Sequence, residues 1–287
     1  GTNATMKFDV PWTVNYPITL EAGGWLSHSP NGRSTEAYKL NLILNAGLNI
    51  QTGGQVNVDN MGFFYFGPGY LGYYSGSSYG GQGTSKTLTY GSITAPTNLG
   101  SGSADKAERG GGAARLVVAG TTTVNGAISA SDAGGNGYGS SGGSVFLTTD
   151  VLVGNGTIRA NGRAGGGGGR IAVVLTNATD FGAVRMQAYG GSSGAAGTIY
   201  TETPSQGPGK GILLIDASNI VSAAGITTLI GSNVTDTMVG TVVITNKAIL
   251  AVSNQTLTVQ GDWDNKATVT GMVNGAVVFA GTNAVTI

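Results

Sequence analysis

Cysteine is absent from all 287 residues, which removes disulfides, thiol catalysis and thiolate metal sites together. Histidine occurs once, at His28. With no second imidazole or thiol beside it, a zinc set or a Ser-His-Asp arrangement has no support, and a structural loop histidine is expected. Charge is sparse and balanced, 14 basic against 14 acidic residues. No basic stripe is offered to a phosphate backbone, so nucleic acid is not an expected partner. No apolar run approaches ~18 residues, so no helical membrane span is expected. Proline occurs 7 times and glycine follows no G-X-Y period, which excludes collagen. No metal site and no cofactor is expected.

What is abundant is glycine, 52 residues in all. That is about two and a half times the usual frequency of roughly 7%. Hydrophobic content is 40%, enough to order a long thin core and too much for a disordered chain. Between Gly112 and Thr201 the chain repeats itself as AARLVVAGTTTVNGAISASDAGG, GSVFLTTDVLVGNGTIRANGRAGG, GRIAVVLTNATDFGAVRMQAYGG and GTIYTE. Apolar runs open at Leu116, Val145, Ile171 and Ile199, spaced 29, 26 and 28 residues, and second runs follow at Ile128, Ile158 and Val184. A period of that size means stacked supersecondary units. Val, Ile and Thr dominate and no run reaches helix length, so the units are strands. Gly126, Gly156 and Gly182 each precede a second run by two residues, where a tight turn with positive φ is expected. The reading is all-β, a right-handed parallel β-helix (β-solenoid) with long Gly-rich loops. Tracts such as 165–169 are expected to be loops beside the stack.

Three regions follow. Residues 1–21 hold an uninterrupted alternation in which Met6, Phe8, Val10, Trp12, Val14, Tyr16, Ile18 and Leu20 share one face of a strand. Pro11 and Pro17 on the other face make it an edge or bridging strand. It is either a cap of two consecutive strands on the first coil or a strand donated to a neighbouring molecule. Residues 22–202 form the Gly-rich coils, with an aromatic loop at 63–79 carrying Phe63, Phe64, Tyr65, Phe66, Tyr70, Tyr73, Tyr74 and Tyr79. Those rings either contact glycan or a protein interface, or fold back over glycine-rich backbone. Asp105, Lys106, Glu108 and Arg109 are expected on a solvated turn. Residues 203–287 return to dense strands and stop on Val285-Thr286-Ile287, an uncapped strand that is a template for pairing. The start at Gly1 reads as a processed or trimmed terminus.

The series LSHSPN, YKLNLILNAGLNIQTGGQVNVDNMG, SSYGGQG, PTNLGSG, GGGAARLVVAGTTTVNGAISA, GGSVFLTTDVLVGNGTIRANG, GGGGGRIAVV and GAAGTIYTE resembles the glycine-rich β-helix region of large secreted or surface-displayed bacterial proteins of the adhesin-like or autotransporter-like kind. Near the end, Gly261, Asp262, Trp263 and Asn265, then Gly275, Val277, Phe279, Gly281 and Ile287, resemble a stalk-like repeat of bacterial surface proteins. The resemblance implies a bacterial extracellular or cell-surface location and supplies no catalytic residue.

A glycosidase needs two carboxylates about 5 to 10 Å apart. Asp262 and Asp264 are near in sequence, but the resemblance makes them turn residues. Arg159, Arg163, Arg170 and Arg185 recur along the repeats and, stacked, would bind an acidic glycan. The alternative places Arg159 and Arg185 outward and Arg163 and Arg170 beside a loop. Asn-x-Thr sequons stand at Asn3, Asn155, Asn177, Asn233 and Asn254 and matter only in a glycosylating host. The expected function is non-enzymatic and structural: a subunit of a surface fibre or sheath whose partner is itself, with surface polysaccharide a second possible partner. Alternatives are a stalk segment of a giant adhesin and a carbohydrate-binding or polysaccharide-cleaving module.

Overall fold

The computed structural model describes residues 4–103, 108–135, 137–267 and 275–281. Those residues are all-β, with no helix among them. The N-terminal part is wound in passes that lay short strands on three walls. Wall one stacks Trp12–Val14, Leu40–Leu44, the first half of Ala113–Val124, the first half of Ser144–Val153, Arg170–Leu175 and Thr198–Glu202. Wall two stacks Ile18–Leu20 and Leu48–Ile50 on the second halves of the two long strands. Wall three stacks Ala4–Lys7, Gly24–Ser27, Gln55–Asn57, Ala127–Ser129, Thr157–Arg159 and Arg185–Gln187. Every pairing in these walls is parallel, so each strand is joined to its neighbour by one full pass of chain.

The inward positions are aliphatic columns. Leu42, Leu116, Leu147 and Val173 are successive partners on wall one, and Val56, Ile128 and Ile158 on wall three; all are buried. Each contributes ~1.5–3 kcal/mol relative to exposure. The pairing corrects the sequence register in two places. Leu116 meets Leu147, with Val145 opposite Ala114, and Ile158 meets Met186 in place of Val184. A two-residue slip keeps every side chain on its own face, so apolar pattern alone does not detect it. An irregularity between Thr149 and Val151 adds to the mismatch between those two passes.

The glycines do something other than turn. Gly126 and Gly156 do not have positive φ; Gly182 does, at 61°. A Cβ on Gly126 would overlap the carbonyl oxygen of Gly54, and one on Gly156 that of Gly126, so this column is glycine because backbone lies on backbone. A second column stands at the entry to wall one. A Cβ on Gly143 would overlap the Gly112 carbonyl, on Gly169 that of Gly143, and on Gly197 that of Gly169. The amides of Gly112, Gly143, Gly169 and Gly197 donate to the carbonyls of Val58, Ala130, Ala160 and Ala188, each at 2.7 Å. That bond pinches every connector shut at its base, whether it spans 161–168 or the long excursion 59–111. Nor do the connectors sit beside the stack. Residues 166–169 are buried, and Gly168 accepts from the amides of Gly80 and Gly81 at 3.0 and 2.9 Å. The connectors form a second packed layer of backbone.

After Thr198–Glu202 the chain reverses. Ile212–Asp216 pairs with it antiparallel, and Thr241–Thr245 and Trp263–Asn265 then continue wall one parallel to Ile212–Asp216. The reversal also moves the core. A crossover of fixed hand puts the rest of a pass on one side of its strand, and the side depends on strand direction. Accordingly Ile199 belongs to the N-terminal core, while Tyr200, Leu213 and Val242, paired in succession, face a second core with Ile93, Ile230, Leu250 and Leu257. Wall one is thus a shared partition with a core on either side.

Replacing Gly143 with Ala is expected to cost ~3 kcal/mol or more, because the methyl meets backbone that has no room to yield. Gly32, with nothing near its Cβ direction, tolerates Ala within about 0.5 kcal/mol. Denaturant melts of the two variants check this; equal stability would refute the packing argument.

Candidate functional site

The alternating stretch is not one strand. Pro11 and Pro17 mark two breaks, and the pieces Ala4–Lys7, Trp12–Val14 and Ile18–Leu20 go to walls three, one and two. Its even positions therefore do not share a face. Phe8 and Leu20 point into the N-terminal core and Val14 and Ile18 are half-buried against it. Met6, Val10, Trp12 and Tyr16 are 59%, 60%, 51% and 77% exposed. Among the described residues each of the three strands is paired on one side only, with Gly24–Ser27, Leu40–Leu44 and Leu48–Ile50. The result is an open sheet edge rimmed by large apolar side chains. At the far end, Ala276–Phe279 pairs on one side with Thr256–Val259, and Val278 and Phe279 are 47% and 40% exposed. Val285 and Ile287 lie outside the described residues.

The aromatic excursion divides into three. Phe63 and Tyr79 are buried. Phe64, Tyr65, Phe66 and Tyr70 are half-buried in a chain of ring contacts at 4.6–6.0 Å, with the Arg33 guanidinium 4.8 Å from the Tyr65 ring and the Arg109 guanidinium 4.4 Å from that of Phe64. Tyr73 and Tyr74 are exposed, Tyr74 meeting Tyr138 edge-on at 5.6 Å. Most of this segment is therefore packing. Further along, Asp236 accepts from the amides of Ile93 and Thr94 and the hydroxyls of Ser92 and Thr94, and Ile93 plugs the second core. Those bonds hold the Asp236 carboxyl below its usual range despite burial.

The arginines do not form a stripe. Arg159 donates to Ser129 and lies 3.9 Å from Asp59, Arg163 pairs with Glu108 at 3.6 Å, and Arg185 is exposed. Arg170 is fully buried, donating to the Tyr90 carbonyl at 2.9 Å and Thr198 at 3.0 Å over the Tyr79 ring. Burial lowers its pKa and pushes that of Tyr79 up to about 12. Nothing in the sequence marks Arg170 as interior, since its partners come from the excursion and the next pass.

Glu108 is not on a solvated turn either. Its carboxylate accepts from the amides of Gly137 and Gly139, while Asp132 accepts from those of Gly134 and Ser140. The two acids cinch one connector from inside. Burial first, then the Glu108 charge, raises the Asp132 pKa to about 7; Arg163 opposes this. His28 is buried as well. Its Nε2 accepts the Ala113 amide at 3.2 Å, so Nδ1 carries the proton and donates to the Ser29 carbonyl at 2.7 Å. Burial lowers its pKa.

No family model, curated protein or solved structure matches this chain. The functional reading therefore rests on the geometry together with the resemblance of the repeat. Asp264, one of the two candidate acids, pairs with Lys266 at 2.5 Å. Among the described residues no group of three or more His, Asp or Glu side chains comes together to hold a metal. The described residues also contain no helix long and apolar enough to cross a membrane.

The buried acid and the buried imidazole have opposite pH signatures. A raised Asp132 pKa means that its contribution is complete below the unfolded value near 3.8 and is lost as pH rises toward about 7. A lowered His28 pKa means that stability falls as pH drops below about 6.5, where the unfolded chain takes up a proton that the fold refuses. Asp132→Asn is therefore expected to gain stability relative to the parent as pH rises from 4 to 8, and His28→Gln to flatten the loss below pH 6.5. Thermal melts across that range check both; parallel curves would show that neither group is shifted.

Proposed function

We propose that this chain is a right-handed parallel β-helix with a structural, non-enzymatic role, a subunit of a bacterial extracellular fibre or sheath that assembles through its sheet edges. The observation that carries the reading is the open edge at residues 4–20, with Met6, Val10, Trp12 and Tyr16 exposed along it. Short strands and prolines, both present here, blunt the backbone of such an edge, but its exposed apolar side chains stay uncovered. The β-helix reading draws support from walls that are parallel as far as Glu202, one pass per strand, and a core that changes sides when the strands reverse.

The occupant of the edge is a second copy of this chain. Trp12–Val14 and Trp263–Asn265 are the two ends of the same wall and run in opposite directions because of the reversal at residues 203–211. Head-to-tail stacking brings them together antiparallel, the relation already used between Thr198–Glu202 and Ile212–Asp216. A heterologous contact of that kind propagates as an open filament unless its rotation closes a ring. The neighbouring tyrosines Tyr73, Tyr74 and Tyr138 favour a second reading, in which the flank carries a surface polysaccharide.

Purified protein should lengthen into rods as concentration rises, seen by sedimentation velocity and negative-stain microscopy. Trp12→Asp with Tyr16→Asp should leave a monomer with an unchanged circular dichroism spectrum, whereas Tyr73→Ser should still polymerise. A parent protein that stays monomeric at every concentration contradicts assembly and assigns the edge to another segment of a longer chain.

A further inference from the structure

One column of wall one passes from polar to apolar along its length. In order of pairing it reads Asn41, Arg115, Phe146, Ala172, Tyr200, Leu213, Val242 and Trp263. From Phe146 onward these side chains face the second core. Asn41 and Arg115 lie on the same side of the partition, beyond the reach of that core. Over them is a cleft of about 290 Å³, lined in addition by Asp9 and Pro11 from the first pass, Glu36, Ala37 and Lys39 from the second, and Thr97 from the excursion.

The charges in the cleft are arranged unequally. Lys39 and Glu36 satisfy each other at 2.5 Å, and Glu36 also accepts from the Asn98 side chain and the Leu99 amide. Asp9 accepts from the Ser29 amide at 2.6 Å, a bond that holds its carboxyl below the usual range. Arg115 donates through Nη1 to Asn41 at 2.9 Å and makes no ion pair among the described residues. It is a guanidinium fork, half-buried and held in place by a neutral neighbour. Around it stand the Asn41 amide, the Thr97 hydroxyl and the Asp9 carboxylate, while Pro11, Ala37 and Ala113 supply apolar contact.

We propose that this cleft binds the carboxylate of an acidic sugar, a hexuronate unit. Arg115 takes the carboxylate with two parallel N–H bonds, a geometry that lysine does not reproduce. Asn41, Thr97 and Asp9 take ring hydroxyls, and the apolar residues face the C–H side of the ring. The volume matches one sugar residue, at the lower end of small-ligand sites. The acidic-glycan chemistry that the repeat suggested for Arg159, Arg163, Arg170 and Arg185 is thereby carried by a different arginine. Asp9 and Pro11 also belong to the edge proposed for assembly, so binding is read on the dilute monomer.

The test is titration of the folded protein with D-galacturonate, followed by saturation-transfer NMR, with D-galactose and inorganic phosphate as comparison probes. Galacturonate is expected to bind saturably, and galactose and phosphate about tenfold more weakly or worse. Arg115→Gln and Arg115→Lys should each lose about tenfold in affinity with unchanged thermal melts, and Arg185→Gln, an exposed charge elsewhere, should lose nothing. Equal binding of galactose or phosphate, an equal loss in Arg185→Gln, full affinity in Arg115→Lys, or no saturable galacturonate binding would each overturn the proposal.

Discussion

Neighbouring passes of this chain touch backbone to backbone, and no side chain fits between them at the contact. Gly112, Gly143, Gly169 and Gly197 sit where a strand begins, where the connector before it closes and where the pass below lies directly underneath. A Cβ on Gly143, Gly169 or Gly197 would enter a carbonyl oxygen of the adjacent pass, and one on Gly112 would meet the His28 ring. Once that closeness is set, the rest follows. The amide of each glycine reaches the far wall and shuts the connector at its base, so a connector of any length leaves the wall geometry untouched. The excursion 59–111 is the extreme case. It leaves after Val58, caps a second core with Ile93, packs Gly80 and Gly81 on the connector 161–168, and returns to the same hydrogen bond.

The shared partition explains how a thin structure buries bulky groups. A single stack has one interior, but reversing strand direction after Thr198–Glu202 gives wall one a core on both sides. Tyr200 and Ala172 are buried for this reason, although they point away from the first core. Arg170, Tyr79 and Tyr90 occupy the seam between the excursion and wall one, where the guanidinium is held by a backbone carbonyl, a threonine and a ring in place of a carboxylate. Where the second core gives out, the same face of the wall continues as Asn41 and Arg115, and the partition opens into a cleft.

Much of the strand content was legible in the chain, because Val, Ile and Thr runs at a regular spacing have few other uses. The register was not, since Leu116 and Ala114 present the same face and the pairing partner is chosen by packing. The glycines were legible as punctuation but for the wrong reason: Gly126 and Gly156 are there for lack of space, with ordinary φ. The breaks in the alternating stretch were signalled by Pro11 and Pro17, whose cost to a strand outweighs an intact period of two. Glu108 and Arg170 could not be read as buried, because the amides and carbonyls that satisfy them arrive from 29 to 80 residues away.

The central claim is that the glycine junctions are as rigid as the walls, although they belong to no strand. Amide hydrogen exchange, resolved by residue, tests it most directly. Gly143, Gly169 and Gly197 are expected to exchange as slowly as the wall-one amide of Leu147, with residues 71–74, exposed at Leu71, Tyr73 and Tyr74, far faster. Exchange of those three glycines at the rate of residues 71–74 would contradict it, and would return the connectors to loose loops outside the stack.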